Sequence, residues 1–210
     1  MPTRMRRVEQ VERNRERVLA AAQRVFIDRG YAGATLEAIA DEAGFSKGVV
    51  YSQFGSKPDL FFALLEQRSE QRAAHHRQAV AGQTGLDAFQ ALVRAGDEDA
   101  ASEPGWGFVL TEFRAQAVRD PNLNGRYSAL HFRTVDNLAK VLTGIHESAG
   151  VTPAIPARSL AEFLLATATG VALERSANSS ALPEQVIAEF LFPALGFVQS
   201  ATSERPKEDG

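Results

Sequence analysis

Between Ser46 and Lys57 the chain concentrates side chains suited to a polyanion. Lys47 can reach the acceptors of a guanine edge, Gln53 can pair with adenine, and Val49 can meet a thymine methyl group. Tyr51 and Ser52 supply hydroxyls for phosphate oxygens. Thr35 and Lys57 stand at expected helix starts, where backbone N–H groups and the helix dipole favour an anion. No comparable grouping suits covalent chemistry. The absence of cysteine removes thiolate zinc sites, thiol nucleophiles and disulfides. The sequence also has no glycine-rich phosphate loop, paired-histidine metal motif or nucleophile elbow. The expectation is therefore no enzyme, with no catalytic residue, no metal and no cofactor, and the chemistry in view is non-covalent recognition of double-stranded DNA.

Those side chains act only if local structure presents them together. From Asn14 onward, Val18, Leu19, Ala22, Val25 and Phe26 recur at three- and four-residue intervals, with Arg15, Arg17, Arg24 and Arg29 on other faces. This predicts an amphipathic helix ending at Gly30. Thr35 has the chemistry to cap a short helix over 36–43, whose apolar edge is Leu36, Ile39, Ala40 and Ala43. Gly44 breaks it, and Ser46 is the expected cap of a second short helix over 47–54. Two short helices joined by a tight glycine turn describe a helix-turn-helix, with Ala40 and Gly44 as the small residues at the crossing. Val50 and Phe54, four apart, would face the first helix and Ile39, leaving Lys47, Gly48, Val49, Tyr51, Ser52 and Gln53 for the other faces.

Ser56, Pro58 and Asp59 then supply a cap, a first-turn proline and a capping-box acid for a long helix to about Val80. Further helices are expected near 85–102, 106–119, 122–148, 156–177 and 183–200, separated by Gly/Pro clusters. No period-two strand pattern and no internal repeat are present. The fold class is all-α, with nine helices and a polar, frayed tail over 202–210.

Charge is divided unevenly along the chain. Residues 1–80 carry thirteen Lys/Arg against ten Asp/Glu, and residues 81–210 carry ten against sixteen. A basic first third joined to an acidic remainder points to polyanion binding by the N-terminal part alone. Arg4, Arg6 and Arg7 could serve as a DNA-contacting arm, although a short charged terminus is more often solvated. The longest apolar run, residues 163–173, lies between Glu162 and Glu174, short of the roughly 18–20 residues of a membrane span. With Glu9, Glu12 and Glu16 where a secretory signal would be apolar, the expected location is cytoplasmic, with no membrane partner.

Thr35-Leu-Glu-Ala-Ile-Ala, Ala43-Gly44-Phe-Ser46-Lys-Gly48, Tyr51-Ser-Gln-Phe54 and Ser56-Lys57-Pro-Asp-Leu60 closely resemble the N-terminal domain of TetR-family bacterial transcriptional regulators, over about residues 14–65. The resemblance implies an all-helical homodimer with an N-terminal three-helix DNA-binding domain and a larger C-terminal domain for effector binding and dimerisation. By position, Lys47, Gly48, Tyr51 and Ser52 match its recognition-helix contacts, and Thr35 and Lys57 its phosphate contacts. Gln53 stands where the family often has His or Tyr, which opens a base contact in place of a phosphate contact. The segment from Leu110 through Glu112, Phe113 and Arg114 to Pro121 resembles the corresponding helix of one broad branch. The implied organisation is a DNA-binding domain with its arm over 1–57, an effector-binding and dimerisation domain over 58–201, and the tail.

Within the C-terminal part, Phe89, Trp106, Phe113 and His131 are the candidate lining of a pocket for a small hydrophobic or aromatic effector, with Glu112 and Arg114 as orienting groups. Aromatic residues at helical spacing are equally consistent with packing, and His131 shares an apolar stripe with Tyr127, Val135, Leu138 and Leu142. Adjacent His75 and His76 point about 100 degrees apart on a helix and are read as solvated rather than as a metal pair. The last two long helices are apolar around much of their circumference. Leu160, Phe163, Leu164, Thr167, Val171, Val186, Phe190, Ala194 and Phe197 are the expected dimer contacts. The functional expectation is a ligand-responsive transcriptional repressor binding a pseudo-palindromic operator as a homodimer. The alternative is a helical ligand-binding or scaffold protein without DNA recognition.

Overall fold

A computed structural model of the chain describes residues 2–191, and these form nine helices and no strand. They are α1 (Pro2–Gly33), α2 (Leu36–Ala43), α3 (Lys47–Phe54), α4 (Lys57–Val80), α5 (Gly85–Ser102), α6 (Trp106–Ala117), α7 (Pro121–Ala149), α8 (Ala157–Ala177) and α9 (Glu184–Leu191). Ala194, Phe197 and the tail over 202–210 lie outside the described residues. The side chains of Arg4, Arg6 and Arg7 also fall outside the description.

Side-chain caps account for the starts of three helices, α2, α4 and α7. Thr35 Oγ1 accepts the Ala38 N–H at 3.1 Å, and Ser56 Oγ accepts that of Asp59 at 3.3 Å ahead of Pro58. Asp120 accepts from the N–H groups of both Asn122 and Leu123, satisfying two of the donors that any helix start leaves open. Ser46 departs from expectation. It occupies the cap position of α3 without a side-chain capping bond, so its hydroxyl is left exposed. The first helix also differs: it extends back to Pro2, and at Gly30 (φ 69°, ψ 171°) the backbone leaves helical geometry before a last short turn.

Two apolar cores form. The first gathers the buried faces of α1, α2, α3, the N-terminal half of α4, and α6. Its centre is aromatic, with Phe61 4.5–5.7 Å from the rings of Phe26, Tyr31, Trp106 and Phe113. The second gathers α5, α7 and α8 around Phe89, Leu92, Val135, Leu142 and Leu160. Packing does not break at residues 57/58, because Leu60, Phe61 and Leu64 of α4 are enclosed with α1 and α6. Each fully buried side chain of this kind contributes about 1.5–3 kcal/mol.

A polar seam joins α4 to the C-terminal end of α5. Asp99 meets His75 Nδ1 at 2.8 Å, His76 Nε2 at 3.2 Å and Arg72 at 3.4 Å. Arg68 pairs with Glu103, which also accepts from Gln23 of α1, and the guanidinium of Arg68 lies 4.1 Å from the Trp106 ring. Burial there lowers the Arg68 pKa to about 10. The two histidines are thus committed to Asp99 rather than simply solvated, and among the described residues no His/Asp/Glu group has the arrangement to hold a metal ion.

Candidate nucleic-acid interface

The helix-turn-helix is braced from inside and from α1. Gly44 adopts a left-handed conformation (φ 70°, ψ 34°), and the Phe45 N–H returns to the Ala40 carbonyl at 2.9 Å, closing the end of α2. Arg17 of α1 donates to the Ala43 carbonyl at 3.1 Å and lies over the Phe45 ring, while Arg15 lies over Phe54. Val50 and Phe54 are buried against α2, as their spacing requires. The remaining face of α3 is open: Ser46, Lys47, Gly48, Tyr51 and Ser52 are exposed, and Val49 and Gln53 are half-buried.

Within that face, Lys47 pairs with Glu37 of α2 and lies 5.3 Å from the Tyr51 ring centre. The ion pair holds the Glu37 carboxyl below its ordinary value and the Lys47 ammonium above its own. Ser52 Oγ–H donates to the Val49 carbonyl at 2.9 Å, which leaves its oxygen lone pairs outward. A Cβ placed on Gly48 would meet only Ser46 Oγ, at 4.0 Å, so no internal contact requires a glycine there. The side-chain oxygen of Gln53 is buried without a hydrogen-bond partner, a costly condition for an amide.

Lys57 occupies a different place from the expected phosphate clamp. Its ammonium donates to the carbonyls of Tyr31, Ala32 and Ala34 at 2.9, 3.2 and 2.9 Å, using all three of its N–H bonds. Burial lowers its pKa. Thr35 caps α2 by accepting the Ala38 N–H, and the residue remains exposed.

The four candidate pocket residues do not share one lining. Trp106 and Phe113 are buried in the aromatic core, and Phe89 is enclosed in the second. His131 stacks on Tyr127 at 5.8 Å, and Tyr127 stands 6.1 Å from Phe113. Burial first, and Arg114 second, hold the His131 imidazole below its ordinary pKa. Arg114 lies over the Tyr127 ring at 5.4 Å, but Glu112 turns away to the end of α1. A separate open groove of about 270 Å³ runs between α4 and α7, lined by Arg77, Val80, Val141 and Ile145 among others. Its residues carried no motif by which the sequence could have marked them.

The expected dimer contacts also divide. Leu160 and Val171 are 2% and 6% exposed, consumed within one chain and so removed from a dimer surface. Leu164, Thr167 and Val186 are half-buried. Phe163 and Phe190 are 57% and 80% exposed, a large apolar area for two side chains to leave in water.

Residues 18–64 match the family model for bacterial regulatory proteins of the tetR family, and residues 86–193 match that for the C-terminal region of BetI-type transcriptional repressors. The transcriptional activator FasR of Mycolicibacterium smegmatis is 42% identical over 69 residues, 33% of this chain and 32% of its own, so the chain aligns with about a third of that protein. The transcriptional regulator UidR of Escherichia coli is 23% identical over 188 residues, covering 90% of this chain and 94% of its own. The regulator FadR from Bacillus subtilis, solved in complex with stearoyl-CoA, shares the fold with a TM-score of 0.70 at 16% identity, over 87% of this chain and 97% of that one.

Proposed function

The chain belongs to the TetR family of bacterial transcriptional regulators, and from that premise we propose that it is a ligand-responsive repressor that binds a pseudo-palindromic operator as a homodimer. The observation that carries this reading is the open face of α3. An α-helix with its side chains is about 10–12 Å across, which fits a major groove about 12 Å wide. Lys47, Tyr51 and Ser52 offer that groove a cation and two hydroxyls. Gly48, which no internal contact requires, lets the backbone come close to DNA.

The finer assignments have their own supports. Exposed Phe163 on α8 and Phe190 on α9 supply an apolar surface for a two-fold mate, and pairing two α3 helices sets the spacing of two half-sites. Repression follows the BetI-type likeness of residues 86–193, against the activator sign of FasR. A hydrophobic effector is in keeping with the stearoyl-CoA held by FadR. We assign its first contact to the half-buried Tyr127–His131 pair, where a depressed imidazole pKa keeps the ring neutral. Trp106 and Phe113 act behind that pair as packed walls. No described helix is long and apolar enough to cross a membrane, and the proposed place of action is the cytoplasm.

Selection of duplexes from a random pool by the full-length chain tests the reading. The recovered sequences should contain two related half-sites about one helical turn apart. Phe163→Glu should sediment as a monomer and lose the selected duplex. A pool that remains random after selection would leave a helical ligand-binding protein without DNA recognition.

A further inference from the structure

Residues 30–34 connect the long first helix to the helix-turn-helix, and their conformation sets the direction in which α2 leaves α1. Gly30 has left helical geometry, Tyr31 turns its ring into the aromatic core, and Thr35 caps the next helix. Across its end the Ala34 N–H reaches the Gly30 carbonyl at 3.2 Å. Two side chains from distant helices also bind the segment. Glu112 of α6 accepts the N–H of Tyr31 at 2.7 Å through Oε2 and that of Ala32 at 3.0 Å through Oε1. Lys57, at the start of α4, donates to three carbonyls of the same segment.

We propose that Glu112 and Lys57 form a two-sided clamp on residues 30–34 through which α6 fixes the angle of the DNA-reading helices. The clamp is also a route by which the C-terminal helices control DNA affinity. This inference rests on the DNA-binding reading above and adds to it the positioning residues of the linkage.

Four features support a positioning role. A carboxylate that accepts two successive N–H groups with its two oxygens fixes both distance and orientation, and charge assistance strengthens each bond. A Cβ on Gly30 would come within 2.6 Å of Glu112 Oε2, so a side chain at residue 30 would push the carboxylate off its present position. Lys57 and Glu112 carry opposite charges on opposite sides of one strip of backbone, and the nearby carboxylate partly offsets the effect of burial on the ammonium. Finally, α6 packs against α7 and α8 as well as α1. A displacement of α6 would therefore pull on the Tyr31 and Ala32 amides without passing through α4. The two states of the linkage are clamp engaged and clamp released, and a ligand that prefers the released state lowers DNA affinity by that preference.

The experiment uses the full-length chain and a duplex selected by it. Glu112→Gln leaves one acceptor but aims an NH₂ group at a backbone N–H, so the bidentate contact is lost. This variant should remain folded and dimeric, bind the duplex about tenfold more weakly, and keep the salt slope of the native chain because no phosphate contact is removed. Trp106 opens the helix that carries Glu112 and is the only tryptophan. Duplex binding should change its emission in the native chain and change it far less in Glu112→Gln. Should Glu112→Gln fail to fold, hydrogen exchange in the native chain decides: the Tyr31 and Ala32 amides must change protection when the duplex binds. Native-like affinity and Trp106 response in a folded Glu112→Gln, or unchanged exchange at both amides, would overturn the clamp while leaving DNA recognition intact. A native chain that selects no duplex overturns both.

Discussion

The two cores of this chain are built from different kinds of side chain. Around Phe61 six aromatic residues, Phe26, Tyr31, Phe62, Trp106, Phe113 and Tyr127, meet at 4.5–6.1 Å in stacked, tilted and edge-on arrangements, contributed by α1, α4, α6 and α7. Around Leu142 the packing is almost entirely aliphatic, with Phe89 the main aromatic contribution. Aromatic pairs are favourable only in a limited set of geometries, so the first core specifies the relative placement of α1, α4 and α6 closely. Aliphatic surfaces are less directional and tolerate repacking at small cost. The difference teaches that the core shared by the DNA-reading helices and α6 is held to one shape, while the core of α5, α7 and α8 retains latitude.

Deleting a ring from the first core should have the largest effect. Phe61→Ala should cost about 3–5 kcal/mol of stability, abolish DNA binding, and alter Trp106 emission, because the two rings stack 5.7 Å apart. Leu142→Ala should cost about 2–5 kcal/mol yet leave Trp106 emission near native. Chemical denaturation followed by tryptophan fluorescence and by circular dichroism measures both, and an equal disturbance of Trp106 by Leu142→Ala would erase the distinction between the cores.

Substitutions on the open face of α3 sharpen the contrast from the other side. Lys47→Ala should weaken binding to a selected duplex about tenfold while lowering affinity for random DNA much less, with no change in the thermal midpoint. Gly48→Ala should hold or raise stability, by up to about 1 kcal/mol, and still weaken binding. If Gly48→Ala binds as tightly as the native chain, close backbone approach at that position is not part of recognition.

The smallest expected effect lies in the second half of the chain. Burial, and then Arg114, depress the pKa of His131 in the folded protein. The unfolded chain therefore takes up the proton more readily, and the contribution of a neutral His131 is present above the ordinary imidazole value of about 6.5 and lost as the pH falls below it. Native protein should lose stability on acidification from pH 7.5 to 5 more steeply than His131→Gln. Parallel pH profiles for the two would assign the titration to another group.

Capping made the N-terminal elements legible in the sequence, because Thr35, Ser56 and Asp59 act within three residues of where they stand. The open face of α3 was legible for the same reason, since Val50 and Phe54 fix its inner side. What escaped was set by partners distant in sequence. Lys57 resembles a phosphate contact until the carbonyl of Ala34, 23 residues away, is seen to hold it. Glu112 resembles a pocket residue until Tyr31, 81 residues away, claims it. His75 and His76 do point apart as helical neighbours must, but Asp99 reaches both with its two oxygens. Arg68, Arg72 and His75–His76 follow one another at helical spacing, a signal that could have marked the seam as a polar face.

That seam has a thermal consequence. Separating α4 from α5 there would hydrate guanidinium, imidazole and carboxylate groups, whereas prying α8 from α7 would wet aliphatic surface. Apolar hydration raises heat capacity and polar hydration lowers it. A hinge motion along the seam would therefore carry little heat-capacity change, and its equilibrium would follow a nearly straight van't Hoff line as the temperature of the cell varies.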